Sequence, residues 1–219
     1  PLVIASVGNP APILDKIHDY GGLVFADIAS MRHAEKAIAA GADGLILLSS
    51  GAGGQTGWAN PFAFVRAVRG IYGGPIVLAG GVNDGIALRA AKTLGCDLAY
   101  MGTRFIATRE SMAVVGYKDM LVSSGLDDVM LTSAFTGLPT NKLRPSINAA
   151  GLDPDDLPAR GMIDVSEDIN PDKRPKRWKD VWSAGHSVAG VHDIPNVANL
   201  IDRFAIEYET AERATGEPT

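Results

Sequence analysis

The sequence predicts an α/β protein of parallel strands covered by helices. Specifically, it predicts a (β/α)8 TIM barrel of which this chain supplies about strands four to eight, plus an irregular and helical C-terminal extension. Three observations lead there. Short apolar runs without polar alternation recur five times, each followed by an amphipathic stretch, which is the pattern of strands buried on both faces. Glycine is abundant, 25 of 219 residues, as tight strand-to-helix turns require. Two successive strand ends, at Gly80-Gly81 and Gly102-Thr103, open into glycine turns.

The elements follow in order. Leu2–Ala5 is an apolar strand ended by Ser6 to Pro10, and Pro10–His18 is a helix with Ile13, Leu14 and Ile17 on one face. Leu23–Ala26 is the second strand. Its helix, Met31–Ala40, has Ser30 placed as N-cap and Gly41 as the stop. Gly44–Leu48 is the third strand, followed by a glycine-rich loop over residues 49–57 and a helix over Pro61–Arg69. Pro75–Ala79 and Gly85–Leu94 form the fourth unit, and Asp97–Met101 the fifth strand. Five units make either a doubly wound sheet or part of a closed barrel of eight, which usually needs about 250 residues. In barrels a phosphate often lies at the loops after the last two strands, so paired glycine turns favour the barrel and mark strands seven and eight. Three further units are then expected ahead of Pro1. Residues 1–115 are read as the barrel portion and 116–180 as an irregular excursion with short helical pieces near the active site. Residues 181–219 are read as a C-terminal motif and helix packing back on the barrel. Ser111–Ser124 reads as helical, the Pro-rich stretch Leu131–Arg177 shows no sustained period, and Val197 to Ala205 recovers helical spacing with Asp193 or Asn196 as cap.

Composition narrows the function. A net charge of −5 argues against a nucleic-acid binder. The single cysteine, Cys96, precludes an internal disulfide framework and suits a reducing cytoplasm, where it reads as a small buried hydrophobe. No apolar run approaches the ~20 residues that span a bilayer, and no leader pattern precedes Pro-Leu-Val-Ile. His18 and His192 lack a second ligand at metal spacing, so no metal is expected. His33 lies on a helix and is expected at solvent or the sheet edge. The basic run Lys173 to Lys179 reads as a solvated loop, with attraction of a phosphate-bearing substrate or pantetheine carrier as the alternative.

Glycines after a strand let backbone N–H groups turn toward an anion, and a helix N-terminus favours negative charge. Gly80-Gly81 taken alone is equally well a tight turn needing positive φ. Gly102-Thr103 after the next strand adds amides and a hydroxyl donor, a pairing that suits a phosphate monoester. Residues 41–48 (Gly-Ala-Asp-Gly-Leu-Ile-Leu-Leu), 51–57 (Gly-Ala-Gly-Gly-Gln-Thr-Gly), 79–85 (Ala-Gly-Gly-Val-Asn-Asp-Gly) and 101–110 resemble the nitronate monooxygenases, formerly 2-nitropropane dioxygenases. Residues 182–191 (Trp-Ser-Ala-Gly-His-Ser-Val-Ala-Gly-Val) resemble that family's C-terminal motif.

The resemblance implies an FMN-containing barrel enzyme that oxidises alkyl nitronates or similar carbanions with O2. It implies Gly80, Gly81, Gly102 and Thr103 as phosphate binders, and Gly53 and Gly54 as the glycines that let their loop approach the flavin. Where the family carries its catalytic His this chain has Gln55, and where the family's C-terminal motif carries Gln it has His186. An exchange of roles makes His186 the base or substrate partner, with Gln55 and Ser187 beside it; a packing or capping His is the alternative. A family position that often carries a flavin-facing Lys is Asp27, and an acidic one is Leu48. An NAD(P)H-dependent enoyl-acyl-carrier-protein reductase and a non-catalytic FMN-binding protein are the competing expectations. Small-molecule partners, neither nucleic acid nor membrane, and compatibility with a homodimer complete the reading.

Overall fold

The structure, a computed structural model, describes residues 1–157, 179–214 and 216. It divides the chain into two compact units. The first comprises Pro1–Ser50, Gly57–Met101 and Phe204–Thr219, and the second Gly51–Thr56 and Gly102–Arg203.

The first unit is the expected parallel α/β portion of a barrel. Its strands are β1 (Leu2–Ala5), β2 (Leu23–Ile28), β3 (Gly44–Leu48), β5 (Ile76–Ala79) and β6 (Leu98–Tyr100), all parallel and paired in the order β1-β2-β3-β5-β6. Helices α1 (Ala11–His18), α2 (Met31–Ala40), α3 (Pro61–Arg69) and α4 (Gly85–Leu94) connect them. Local chemistry sets the helix ends. Ser30 Oγ accepts from His33 N–H at 3.2 Å, Asn60 Oδ1 from Phe62 N–H at 2.9 Å, and Asp84 Oδ1 from Ala87 N–H at 2.7 Å. His33 Nδ1 in turn faces Ala29 N–H at 3.3 Å, at the end of β2.

Two joints before strands are built alike. Asp43, just before β3, accepts Val24 N–H at 2.7 Å and pairs with His18 at 2.8 Å. Asp97, just before β6, accepts Ile76 N–H at 2.8 Å and pairs with Arg69 at 2.6 Å. Each carboxylate thus ties the start of one strand to the start of its paired neighbour.

The sheet's two faces differ. Ala26, Ile28, Leu45, Leu47, Ile76 and Leu78 pack with Ala34, Ala37, Phe64, Val65 and Val68 of the helices into the main core. The opposite face carries a smaller cluster of Phe25, Ile46, Val77 and Ala79, with Leu48 packed against it. Gly44 makes room there, because a β-carbon on it would lie 2.5 Å from the Phe25 ring. At the sheet's margins the residues in register with this face, among them Ile4 on β1 and Tyr100 on β6, are exposed.

The second unit corrects two expectations. The helix expected over Ser111–Ser124 is α6 (Val115–Ser123), because Ser111 Oγ closes a turn on Ala113 N–H at 3.2 Å before it. The stretch from Leu131 onward, expected to lack regular structure apart from short helical pieces, contains one. That piece is α7 (Arg144–Ala149), and the stretch also contributes strands to an antiparallel ribbon, β4 (Gly54–Gln55), β8 (Thr140–Leu143) and β7 (Val129–Thr132), ordered β4-β8-β7. Thr140-Asn141-Lys142-Leu143 gives no strand signal because three of its four residues are polar, yet all four are buried. A core of Ala107, Leu121, Leu143, Ala184, Val188 and Val191 fills this unit. Residues 158–178, with most of the basic run, lie outside the described residues. The last helix, α8 (Val197–Ala214), runs past Ala205 and is capped by Asn196, whose Oδ1 accepts Asn199 N–H at 2.7 Å. Asp193, the other cap candidate, is engaged instead by Arg104 at 2.6 Å and Arg203 at 2.8 Å.

Candidate functional site

In the first unit, Gly80 and Gly81 follow β5 with φ of 115° and 78°. Only glycine takes these values without strain, and a β-carbon on Gly81 would meet nothing within 4 Å, so this turn is open on the outside. Past it, the start of α4 is already supplied with carboxylates. Asp84 caps it, and Glu207 Oε2 accepts Gly85 N–H at 2.9 Å. The first amides of α4 are therefore engaged, whereas the glycine turn before them is open. On the face opposite the helices, Asp27 lies in register with Ile46 near the end of β2.

The second unit gathers most of the other expected residues at one backbone crossing. Residues 51–53 run against residues 184–186. His186 N–H donates to Gly51 O at 2.9 Å, and Gly185 N–H donates to Thr103 Oγ1 at 2.9 Å. The crossing requires glycine on both strands. A β-carbon on Gly53 would lie 2.8 Å from Gly185 N and 3.0 Å from Thr103 Oγ1, and one on Gly185 would collide with Gly51 O. At Gly51, φ is +90° and a β-carbon would lie 2.6 Å from His186 Nδ1. The imidazole therefore lies over the missing Gly51 side chain. His186 and Gly53 are exposed, while Ser187 and Thr103 are buried.

The neighbours hold this crossing in place. Gly54 and Gln55 pair with Asn141 and Thr140 as β4 against β8, and Asn141 Nδ2 donates to Ala52 O at 2.8 Å. Gly102 leads into the short helix α5 (Thr103–Ile106), and a β-carbon on Gly102 would meet nothing within 4 Å. Because Thr103 Oγ1 accepts from Gly185, its hydroxyl proton is left to donate elsewhere. Tyr117 Oη donates to Ser183 O, and its ring stacks on Trp182 with centroids 5.0 Å apart. Burial pushes the Tyr117 phenol up to about 12, opposed by that hydrogen bond.

Of the expected residues, Gly53, Thr103 and His186 thus meet at the crossing, with Gln55 on the adjoining ribbon and Ser187 next in the chain. Gly80 and Gly81 lie in the first unit. Asn141 and Tyr117 escaped the sequence reading, since neither sits in a motif. Gly185 belongs to the 182–191 motif, but its part in the crossing shows only in three dimensions. Among the described residues no group of three or more His, Cys, Asp or Glu is placed to hold a metal. Cys96 is buried, and burial raises its thiol to about 11. Among the described residues no helix is long and apolar enough to cross a membrane.

Parallel strands joined by helices, with a glycine turn after β5, define a barrel-type α/β protein. The sequence matches the family described as nitronate monooxygenase over residues 1–151. The chain belongs to that family. Among curated relatives, a 5-hydroxy-7a-methyl-1-oxo-octahydro-indene-4-carboxyl-CoA dehydrogenase from Mycobacterium tuberculosis is 31% identical over 138 residues, 62% of this chain and 39% of that protein. A nitronate monooxygenase from Paraburkholderia phytofirmans is 28% identical over 153 residues, 66% of this chain and 42% of that protein. The chain spans about two-fifths of the length of these curated relatives. Among solved structures, FabK from Thermotoga maritima superposes with a TM-score of 0.78 at 26% identity, over 99% of this chain and 70% of that one. A nitroalkane oxidase from Streptomyces ansochromogenes shares the fold with a TM-score of 0.77 at 24% identity, over 98% of this chain and 66% of that one.

Proposed function

We propose that the protein is an FMN-dependent oxidoreductase that oxidises alkyl nitronates, or similar small carbanionic substrates, with O2. The observation that carries this reading is the family match over residues 1–151, which takes in both glycine turns and the 51–57 loop. In this reading Gly80, Gly81, Gly102 and Thr103 bind the FMN phosphate. Their fit is supported by the open space outside Gly81 and Gly102 and by the hydroxyl proton that Thr103 has to give. Gly53 and Gly54 let their loop come close to the flavin. Bound FMN supplies a two-electron acceptor that O2 reoxidises.

The chain's own part in turnover is to bind and orient the substrate and to manage its proton. His186, exposed and packed over Gly51, is the hydrogen-bond partner or base toward the substrate. Gln55 both donates and accepts hydrogen bonds but cannot take up a proton at neutral pH, so its role is orientation. Ser187, beside His186, adds a hydroxyl. A nitronate is already anionic at carbon and oxygen, so it asks for little acid–base help. A cytoplasmic location and a homodimer belong to the same reading.

The test is the visible spectrum of the purified protein, followed by anaerobic mixing with propyl-2-nitronate or with NADH. A flavin spectrum bleached by the nitronate is the expected result. Bleaching by NADH alone would move the protein to the enoyl reductase type of chemistry. Stoichiometric FMN that neither bleaches would leave a binding protein.

A further inference from the structure

Asp27 is a carboxyl group in an apolar place, and part of it has nothing to bind. Side chains alternate along a strand, so Asp27 shares the face of Phe25, in register with Ile46 and one position short of Leu48. Among the described residues its Oδ1 is buried without a hydrogen-bond partner, while Ser6 hydrogen-bonds the carboxyl group. A buried polar atom left unpaired is costly, so such an atom calls for a partner that arrives later. The place is suggestive as well. Asp27 lies at the C-terminal end of a parallel strand, on the face that a barrel turns inward, where barrel enzymes place their reacting groups.

Its surroundings decide its charge. Burial raises the Asp27 carboxyl above its ordinary value, and only Ser6 opposes this. The paired strands β1 and β3 carry no ionisable side chain, and on the same face of the sheet the other ionisable group is the Tyr100 phenol on β6. Helices α1 and α2, packed on β2, carry Asp15, Lys16, His18, Arg32, His33, Glu35 and Lys36, and none of these is among the influences on Asp27. A protonated carboxyl has an O–H to donate. An anionic oxygen is its strongest acceptor, whereas an ionised carboxylate in the same place would repel that anion.

We propose that Asp27 contacts the substrate directly, its carboxylic O–H donating to an anionic oxygen of a nitronate or other small planar oxyanion. The proposal rests on the oxyanion substrate class proposed above. It makes Asp27 a specificity residue, favouring anions at low pH and rejecting them once it ionises.

Inorganic nitrate, a planar oxyanion that cannot be oxidised by the enzyme, is the probe. Its affinity is measured by calorimetry on the purified holoprotein from about pH 5 to pH 9, for wild type, Asp27→Asn and Asp27→Ala, with circular dichroism confirming the fold. Wild-type affinity is expected to fall about tenfold per pH unit once Asp27 ionises. Asp27→Asn keeps an N–H donor and should bind nitrate with no such pH dependence, and Asp27→Ala should bind at least about tenfold more weakly at the acid end. A flat wild-type profile, or equal affinity in Asp27→Ala, overturns the proposal. The flavin spectrum, recorded on the same samples, judges the cofactor reading separately. FMN retained without nitrate binding sinks only the role of Asp27, and nitrate binding without FMN sinks only the flavin.

Discussion

His186 and Gly51 form a reciprocal pair: the backbone N–H of His186 donates to Gly51 O at 2.9 Å, and its Nδ1 lies 2.6 Å from where a Gly51 β-carbon would be. The imidazole's position is therefore set by the absence of a side chain across from it. Gly51→Ala should displace His186 and strain a backbone at φ +90°, at a general cost of about 1–2 kcal/mol. Turnover of propyl-2-nitronate should drop in Gly51→Ala as it does in His186→Ala. Normal kcat in the glycine variant would show that the imidazole's position is irrelevant to the reaction.

His186→Ala itself should lower kcat by about a hundredfold or more, the usual contribution of a positioned base or acid, while the flavin spectrum persists. Stopped-flow flavin reduction provides the measure. Unchanged reduction rates would leave His186 as a packing residue.

Tyr117→Phe removes the donor to Ser183 O while keeping the stack on Trp182. The expected loss is about 1 kcal/mol, read as a lower urea midpoint with an unchanged slope. A variant as stable as wild type would mean that water replaces the hydroxyl at no cost.

Two carboxylates predict an acid limit to stability. For Asp43, burial works to raise the carboxyl, but Val24 N–H and His18 outweigh it and hold it below its ordinary value. For Asp97, burial is likewise outweighed by Ile76 N–H and Arg69. A depressed folded-state pKa gives stability that is present above the ordinary carboxylate range and lost as pH falls through the lowered values. The melting temperature should thus fall as the pH drops below about 4, and Asp43→Asn and Asp97→Asn should each flatten that fall. Both pairs are partly exposed, so each is expected to contribute about 1 kcal/mol or less. Acid melting identical in both variants and wild type would place the sensitivity elsewhere.

Gly85→Ala tests how α8 meets α4. Its β-carbon would run into Phe204 O and Tyr208 N, both backbone atoms that cannot swing away. Overpacking of this kind costs about 1–3 kcal/mol, and amide hydrogen exchange over Phe204–Ala214 should quicken. Glu207→Gln, which keeps an acceptor for Gly85 N–H, should change exchange far less. Equal protection in Gly85→Ala would show that the helix adjusts freely.

Much of the first unit was readable before any coordinates because its signals are local. Ser30, Asn60 and Asp84 cap helices within three residues of themselves, and the strands are apolar on both faces. The ribbon of the second unit was not readable, because its stability comes from partners far away in sequence. Asn141 pairs with Gly54 and its side-chain amide donates to Ala52 O, 89 residues distant. The glycines of the 51–57 loop stood out in the sequence, but their reason did not. Gly53 is small because Gly185 and Thr103 pass against it, which composition cannot express. Asp27 was noticed as an oddity in a family pattern, whereas the orphaned oxygen that gives it meaning belongs to three dimensions.

The matching tethers of Asp43 and Asp97 both fasten the beginnings of strands, whereas the glycine turns and Asp27 stand where strands end. In the proposed reading, fastening and chemistry are therefore kept at opposite ends of the strands. The loops of one rim can then change residues without loosening the stitches along the other. A scaffold arranged in this way lets substrate preference drift while the fold stands still.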